Sequence, residues 1–80
     1  MSNEQFINIL IADGITSQDA KKYMDAGRTI IYECPEEYLD TLKENGLYNG
    51  ETLEQARAGA LSDISVVECD GHEYLIEYGY

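Results

Sequence analysis

The chain has no Trp, one Pro, one Phe and one His, and only five Lys and Arg among its 80 residues. The scarcity of basic residues removes the most classes of function. Against 16 Asp and Glu, the five basic residues leave a formal net charge of −11. A chain this acidic lacks the basic stripe that displaces counterions from phosphates, which excludes direct binding of DNA or RNA. The same sign excludes docking on an anionic membrane surface. Two Cys are too few for a disulfide framework and point to reduced thiols in a cytoplasmic setting. The longest apolar run, Phe6-Ile7-Asn8-Ile9-Leu10-Ile11-Ala12, is far shorter than a membrane span. The opening Met1-Ser2-Asn3-Glu4-Gln5 has no positively charged segment, so no secretory leader is expected. No Gly-rich stretch ends in Gly-Lys-Ser/Thr, which excludes a P-loop. The acids that begin at Asp63 lack the sixth-position Gly and twelfth-position Glu of a calcium loop.

What is present describes a folded domain. Apolar residues make up 44% of the chain, and seven Tyr are spread along it, whereas disordered chains pair high charge with few aromatics. Eighty residues form one domain, residues 1–80, with a modest core.

Start and stop signals divide that domain into seven elements. Ser2 and Gln5 have capping-box spacing, and Phe6, Ile9 and Leu10 recur at helical spacing until Asp13-Gly14. A second helix opens at Thr16 or Ser17, carries Ala20, Tyr23 and Met24 on one face, and stops at Gly27. Thr29 to Cys34 is rich in β-branched and aromatic residues and predicts a strand. Pro35 then suits the first turn of a helix bearing Tyr38, Leu39 and Leu42, closed by Asn45-Gly46. Thr52 with Gln55 opens a fourth helix along Leu53, Ala56 and Ala60. Asp70-Gly71 separates two strand-like runs, Ile64 to Cys69 and His72 to Tyr78, and predicts a type I′ hairpin. With a two-residue turn, cross-strand partners sum to 141, so Glu68 opposes Glu73 and Ile64 opposes Glu77. The order α-α-β-α-α-β-β predicts an α+β fold: a small three-stranded antiparallel sheet with about four short helices on one face.

Few side chains are suited to chemistry. Cys34, Cys69 and His72 are the only soft metal ligands, and a structural zinc site needs a fourth. A Cys34–Cys69 disulfide requires the first two strands to be neighbours. Cys69 and His72 as a nucleophile–base pair would sit at an exposed hairpin end with no orienting third group. The reading is therefore a protein without catalytic residues, metal or cofactor.

The acids, by contrast, are clustered. Glu33, Glu36, Glu37 and Asp40 lie where the first strand passes into a helix, and Glu68, Asp70, Glu73 and Glu77 lie on the hairpin. Opposed like charges destabilise a sheet unless they face water, so Glu68, Glu73 and Glu77 are expected on an exposed face. Tyr23, Tyr38 and Tyr74 are expected in the core, with Tyr48, Tyr78 and Tyr80 exposed. Tyr78 and Tyr80 then join the two acid clusters as candidate partner-binding residues, because Tyr offers large contact area at small entropy cost.

In its size, its charge of −11 and these acidic clusters, the chain resembles the small acidic anti-defence proteins of phages and mobile elements, the anti-CRISPR and anti-restriction inhibitors. That resemblance implies a non-catalytic inhibitor acting in the host cytoplasm. It would occlude a basic protein surface of a CRISPR effector or other nuclease complex without touching nucleic acid itself, as a monomer or homodimer. The alternative is an antitoxin or immunity-type protein that neutralises one cognate basic toxin.

Overall fold

A computed structural model describes residues 1–79. It has four helices and a three-stranded antiparallel sheet, so the chain is α+β, in the element order the sequence predicts. Helices α1 (Asn3–Ala12) and α2 (Ser17–Ala26) lead to strand β1 (Ile30–Tyr32). Helices α3 (Glu37–Glu44) and α4 (Leu53–Gly59) follow, then strands β2 (Asp63–Cys69) and β3 (His72–Tyr78).

The local signals explain most of these boundaries. Ser2, Thr16 and Thr52 each accept a hydrogen bond from the backbone N–H three residues on, satisfying a donor that the first helical turn leaves orphaned. At Thr52 the box is reciprocal, since Gln55 Oε1 accepts from the Thr52 N–H at 2.9 Å. Gln5 instead turns its amide to the Tyr74 hydroxyl at 3.2 Å, tying α1 to β3. Gly27 closes α2 in the left-handed conformation. β1 is shorter than the predicted run, because pairing ends at Tyr32 and Pro35 follows in a turn.

The sheet order is β1-β3-β2, which places the last strand in the centre. The hairpin register is the predicted one, from Asp63↔Tyr78 to Cys69↔His72. On the other side Ile30, Ile31 and Tyr32 pair with Glu77, Ile76 and Leu75.

The helices do not share one face, and here the expectation is corrected. Side chains alternate along β3. Tyr74, Ile76 and Tyr78 join Val67, Ile9, Leu10 and Ala20 in one cluster beneath α1 and α2. Leu75, between them, points the other way and meets Tyr32, Tyr38 and Ala56, with Leu42, Leu53 and Val66 packed around them beneath α3 and α4. Leu75 and Ile76 are both fully buried, so the sheet has a core on each side. The physical cause is the central position of β3: a strand flanked on both edges and apolar on both faces needs cover above and below.

Among the described residues, no helix is long and apolar enough to cross a membrane.

Candidate functional site

The two acidic clusters lie far apart in the sequence and meet in space. β1 runs antiparallel to β3, so the chain that leaves Tyr32 advances toward the hairpin turn. That turn is type I′ in form, with Asp70 at φ 52° and Gly71 at φ 77°. The join is made by His72, the first residue of β3, whose Nε2 donates to the Glu33 backbone carbonyl. A carbonyl only accepts, so Nε2 carries the proton. The imidazole also packs on the Tyr74 ring, with centroids 4.6 Å apart. The histidine that sequence reading offered only as a ligand or base is therefore the brace between the clusters. Nothing in the sequence signals this, because the contact depends on the strand order.

Glu33, Glu36, Glu37, Glu68, Asp70 and Glu73 are all exposed: Glu33 and the hairpin acids lie at this end of the sheet, and Glu36 and Glu37 follow Glu33 in the turn into α3. Glu68 and Glu73 face each other across the strands, as predicted. No Lys or Arg occurs between Arg28 and Lys43 or after Arg57, so no local cation offsets them in sequence. Asp40 is different: it is exposed, and Lys43 Nζ lies 3.9 Å from its carboxylate. Glu36 accepts from the Cys34 thiol at 3.0 Å. That hydrogen bond draws the Glu36 carboxyl below its usual range and pushes the Cys34 thiol above its own. Cys34 thus remains a protonated donor, the opposite of an activated thiolate.

Two of the predicted residues do not belong to this end. Glu77 lies four residues along β3 from Glu73, about 13 Å away at strand rise. It is half-buried on the α3/α4 face and accepts from the Tyr32 hydroxyl at 3.3 Å. The parity that puts it on the same face as Glu73 is right, but at its end of that face α3 and α4 half-cover it. Tyr78, expected at the surface, is buried. Its hydroxyl donates to Asp13 Oδ2 at 2.5 Å, and its ring tilts against Tyr23 at 5.2 Å. It is even-numbered on β3, like Tyr74 and Ile76, and so faces α1 and α2. Tyr48 is half-buried, its hydroxyl donating to the Glu51 carbonyl. Tyr80 lies outside the described residues.

The candidates for chemistry are separated. β3 stands between β1 and β2, so the neighbouring strands that a Cys34–Cys69 disulfide requires do not occur. Both thiols are free. Cys69 and His72 are cross-strand partners, but the imidazole is committed to Glu33 and Tyr74. Among the described residues, no three His, Cys, Asp or Glu side chains gather as a metal site.

No protein-family model, no curated protein and no solved structure matches this chain.

Proposed function

We propose that the protein is a non-catalytic acidic inhibitor that occludes a basic surface of a nucleic-acid-handling defence complex, in the manner of an anti-CRISPR protein. One observation carries this reading. Two acid clusters, Glu33, Glu36 and Glu37 with Glu68, Asp70 and Glu73, meet at one end of a sheet packed on both faces. Carboxylates held on a fixed backbone present an array of negative charge that an Arg- and Lys-lined channel would otherwise fill with phosphates. Such an array raises the association rate through steering and chooses basic partners over acidic ones. The opposed Glu68 and Glu73 support the same reading, since like charges kept face to face cost stability that a purely structural hairpin need not give up. The inhibitor is placed in the cytoplasm of the cell whose defence it blocks.

The test is inhibition of target cleavage by a CRISPR effector or another nuclease complex of the host. The triple variant Glu33→Lys, Glu68→Lys, Glu73→Lys should lose inhibition. The triple variant Glu4→Lys, Asp25→Lys, Glu44→Lys, with the same change in net charge at other sites, should keep it. Equal behaviour of the two variants, or no inhibition of any such complex at low salt, overturns the reading.

A further inference from the structure

A groove of about 520 Å³ opens on the α3/α4 side of the sheet, at the end away from the acidic tip. Its volume is that of a small-molecule site. The floor is the edge of β1 and the far end of β3, and the walls come from α3, α4 and the loops that follow them. Two aromatic rings line it: Tyr32 and Tyr38 stand edge to face with centroids 6.0 Å apart. Leu42 and Ile30 add an apolar lining.

Two carboxylates line this groove, among neutral polar side chains such as Thr41, Asn45 and Asn49. Glu77 lines the groove half-buried and accepts from the Tyr32 hydroxyl at 3.3 Å through Oε1. Glu51 lines it from the loop before α4. None of the lining residues is Lys or Arg, and neither carboxylate forms an ion pair among the described residues. Taking a carboxylate part-way out of water without a cation is unfavourable. The field of these acids is felt by both rings. Burial first, and then the Glu77 charge, push the Tyr32 and Tyr38 phenols above their usual range; a hydrogen bond with Thr41 offsets part of this at Tyr32, and Glu51 adds to it at Tyr38.

We infer that the groove is a binding site for a small organic cation with an aliphatic body, an alkylammonium or alkylguanidinium. The charged head lies against Glu77, and the stem lies along Ile30 and Leu42 beside the rims of the buried Tyr32 and Tyr38. The carboxylate attracts the charged head by ion pairing and the apolar lining takes the stem, and the ion pair selects a cation over a neutral molecule of equal shape. This site is independent of the acidic tip, and either can fail without the other.

The probe is n-pentylammonium, with pentan-1-ol as its neutral counterpart, titrated into the full chain by NMR at moderate salt. Pentylammonium should shift the ring protons of Tyr32 and Tyr38 and leave those of Tyr23 and Tyr74, on the opposite face, unchanged. Pentan-1-ol should bind about tenfold more weakly or worse. Glu77→Gln should weaken pentylammonium about tenfold, whereas Glu73→Gln, which removes the same charge at the tip, should change it less than about twofold. Equal losses in the two variants reduce the effect to general attraction by an acidic protein and overturn the site. So does equal affinity for the alcohol, or a shift pattern centred on Tyr23 and Tyr74. The shift pattern is read on the unaltered chain, so it decides the matter even if Glu77→Gln does not fold. Capped lysine amide serves as the other source of the same chemistry: tighter binding than pentylammonium would overturn the free ligand in favour of a partner's side chain.

Discussion

Changing Glu73 to Lys should make the protein more stable while destroying its proposed docking surface. Glu73 lies directly across from Glu68, and both are exposed. Directly opposed side chains have Cβ atoms roughly 4.5–5.5 Å apart, which sets their charged ends about 6 Å apart in water. Two unit charges at that distance repel by about 0.7 kcal/mol. Reversing one sign removes this repulsion and adds an equal attraction, a swing of about 1.4 kcal/mol that screening at physiological salt roughly halves. For a domain of this size about 0.7 kcal/mol raises Tm by about 3–5 °C. Glu73→Gln, which removes the repulsion alone, should give about half that gain. Thermal unfolding followed by circular dichroism at 0.15 M and 1 M salt is the assay. At 1 M the Debye length is about 3 Å and the gain should shrink below about 1 °C. A fall in Tm for Glu73→Lys, or a gain that persists in 1 M salt, would refute the placement of the two carboxylates. The same variant should bind the basic target more weakly, so stability and activity move in opposite directions.

Other substitutions test the interior. Tyr78→Phe removes a buried donor from the Asp13 carboxylate and should destabilise by about 1.5–3 kcal/mol, read from urea midpoints. A loss below a few tenths would contradict the burial of that hydroxyl. Gly79→Ala places a methyl against the Arg28 backbone and should cost about 1–3 kcal/mol, whereas Gly59→Ala, with open space around it in α4, should be neutral or stabilising. Thr52→Ala breaks the reciprocal capping box and should cost about 1 kcal/mol. The raised phenols of Tyr32 and Tyr38 predict an alkaline limit. Their stabilising contribution is complete below the ordinary phenol value near 10 and is lost as pH rises through their higher folded values, because the unfolded state ionises first. Spectrophotometric titration at 295 nm should show Tyr32 and Tyr38 ionising late. Tyr32→Phe and Tyr38→Phe should each remove one, and uniform titration of all tyrosines would contradict the burial of that pair.

Elements marked by short-range chemistry are legible in the sequence. Thr16, Gly27 and the Thr52–Gln55 box mark helix ends through backbone groups a few residues away, and Asp70-Gly71 determines the hairpin register because both residues adopt positive φ. The order of the strands is not written locally, and the errors follow from that. Parity with Glu68 and Glu73 predicts an exposed Glu77, and a place near the tail predicts an exposed Tyr78, yet one is half-buried and the other buried. Once β3 lies between β1 and β2, Leu75 needs cover from Tyr38 and Ala56, and Tyr78 is drawn beneath α2. The acid clusters were visible as runs of residues. Their meeting was not, because it passes through the His72–Glu33 contact, which spans 39 residues.

The central strand is also the last of the three to be synthesised. Until residues 72–78 have left the ribosome, β1 and β2 have nothing to pair with, and Ile9 and Leu10 have no sheet to pack against. The bonds that join the first helical segment to β3 span 65 and 69 residues, so cooperative folding waits on the most distant contacts in the chain. During translation the nascent chain carries uncovered apolar helices, and its high negative charge is what keeps neighbouring copies on a polysome apart. A polypeptide stopped before residue 72 would form no smaller version of this domain. The unit either completes or remains a target for proteases.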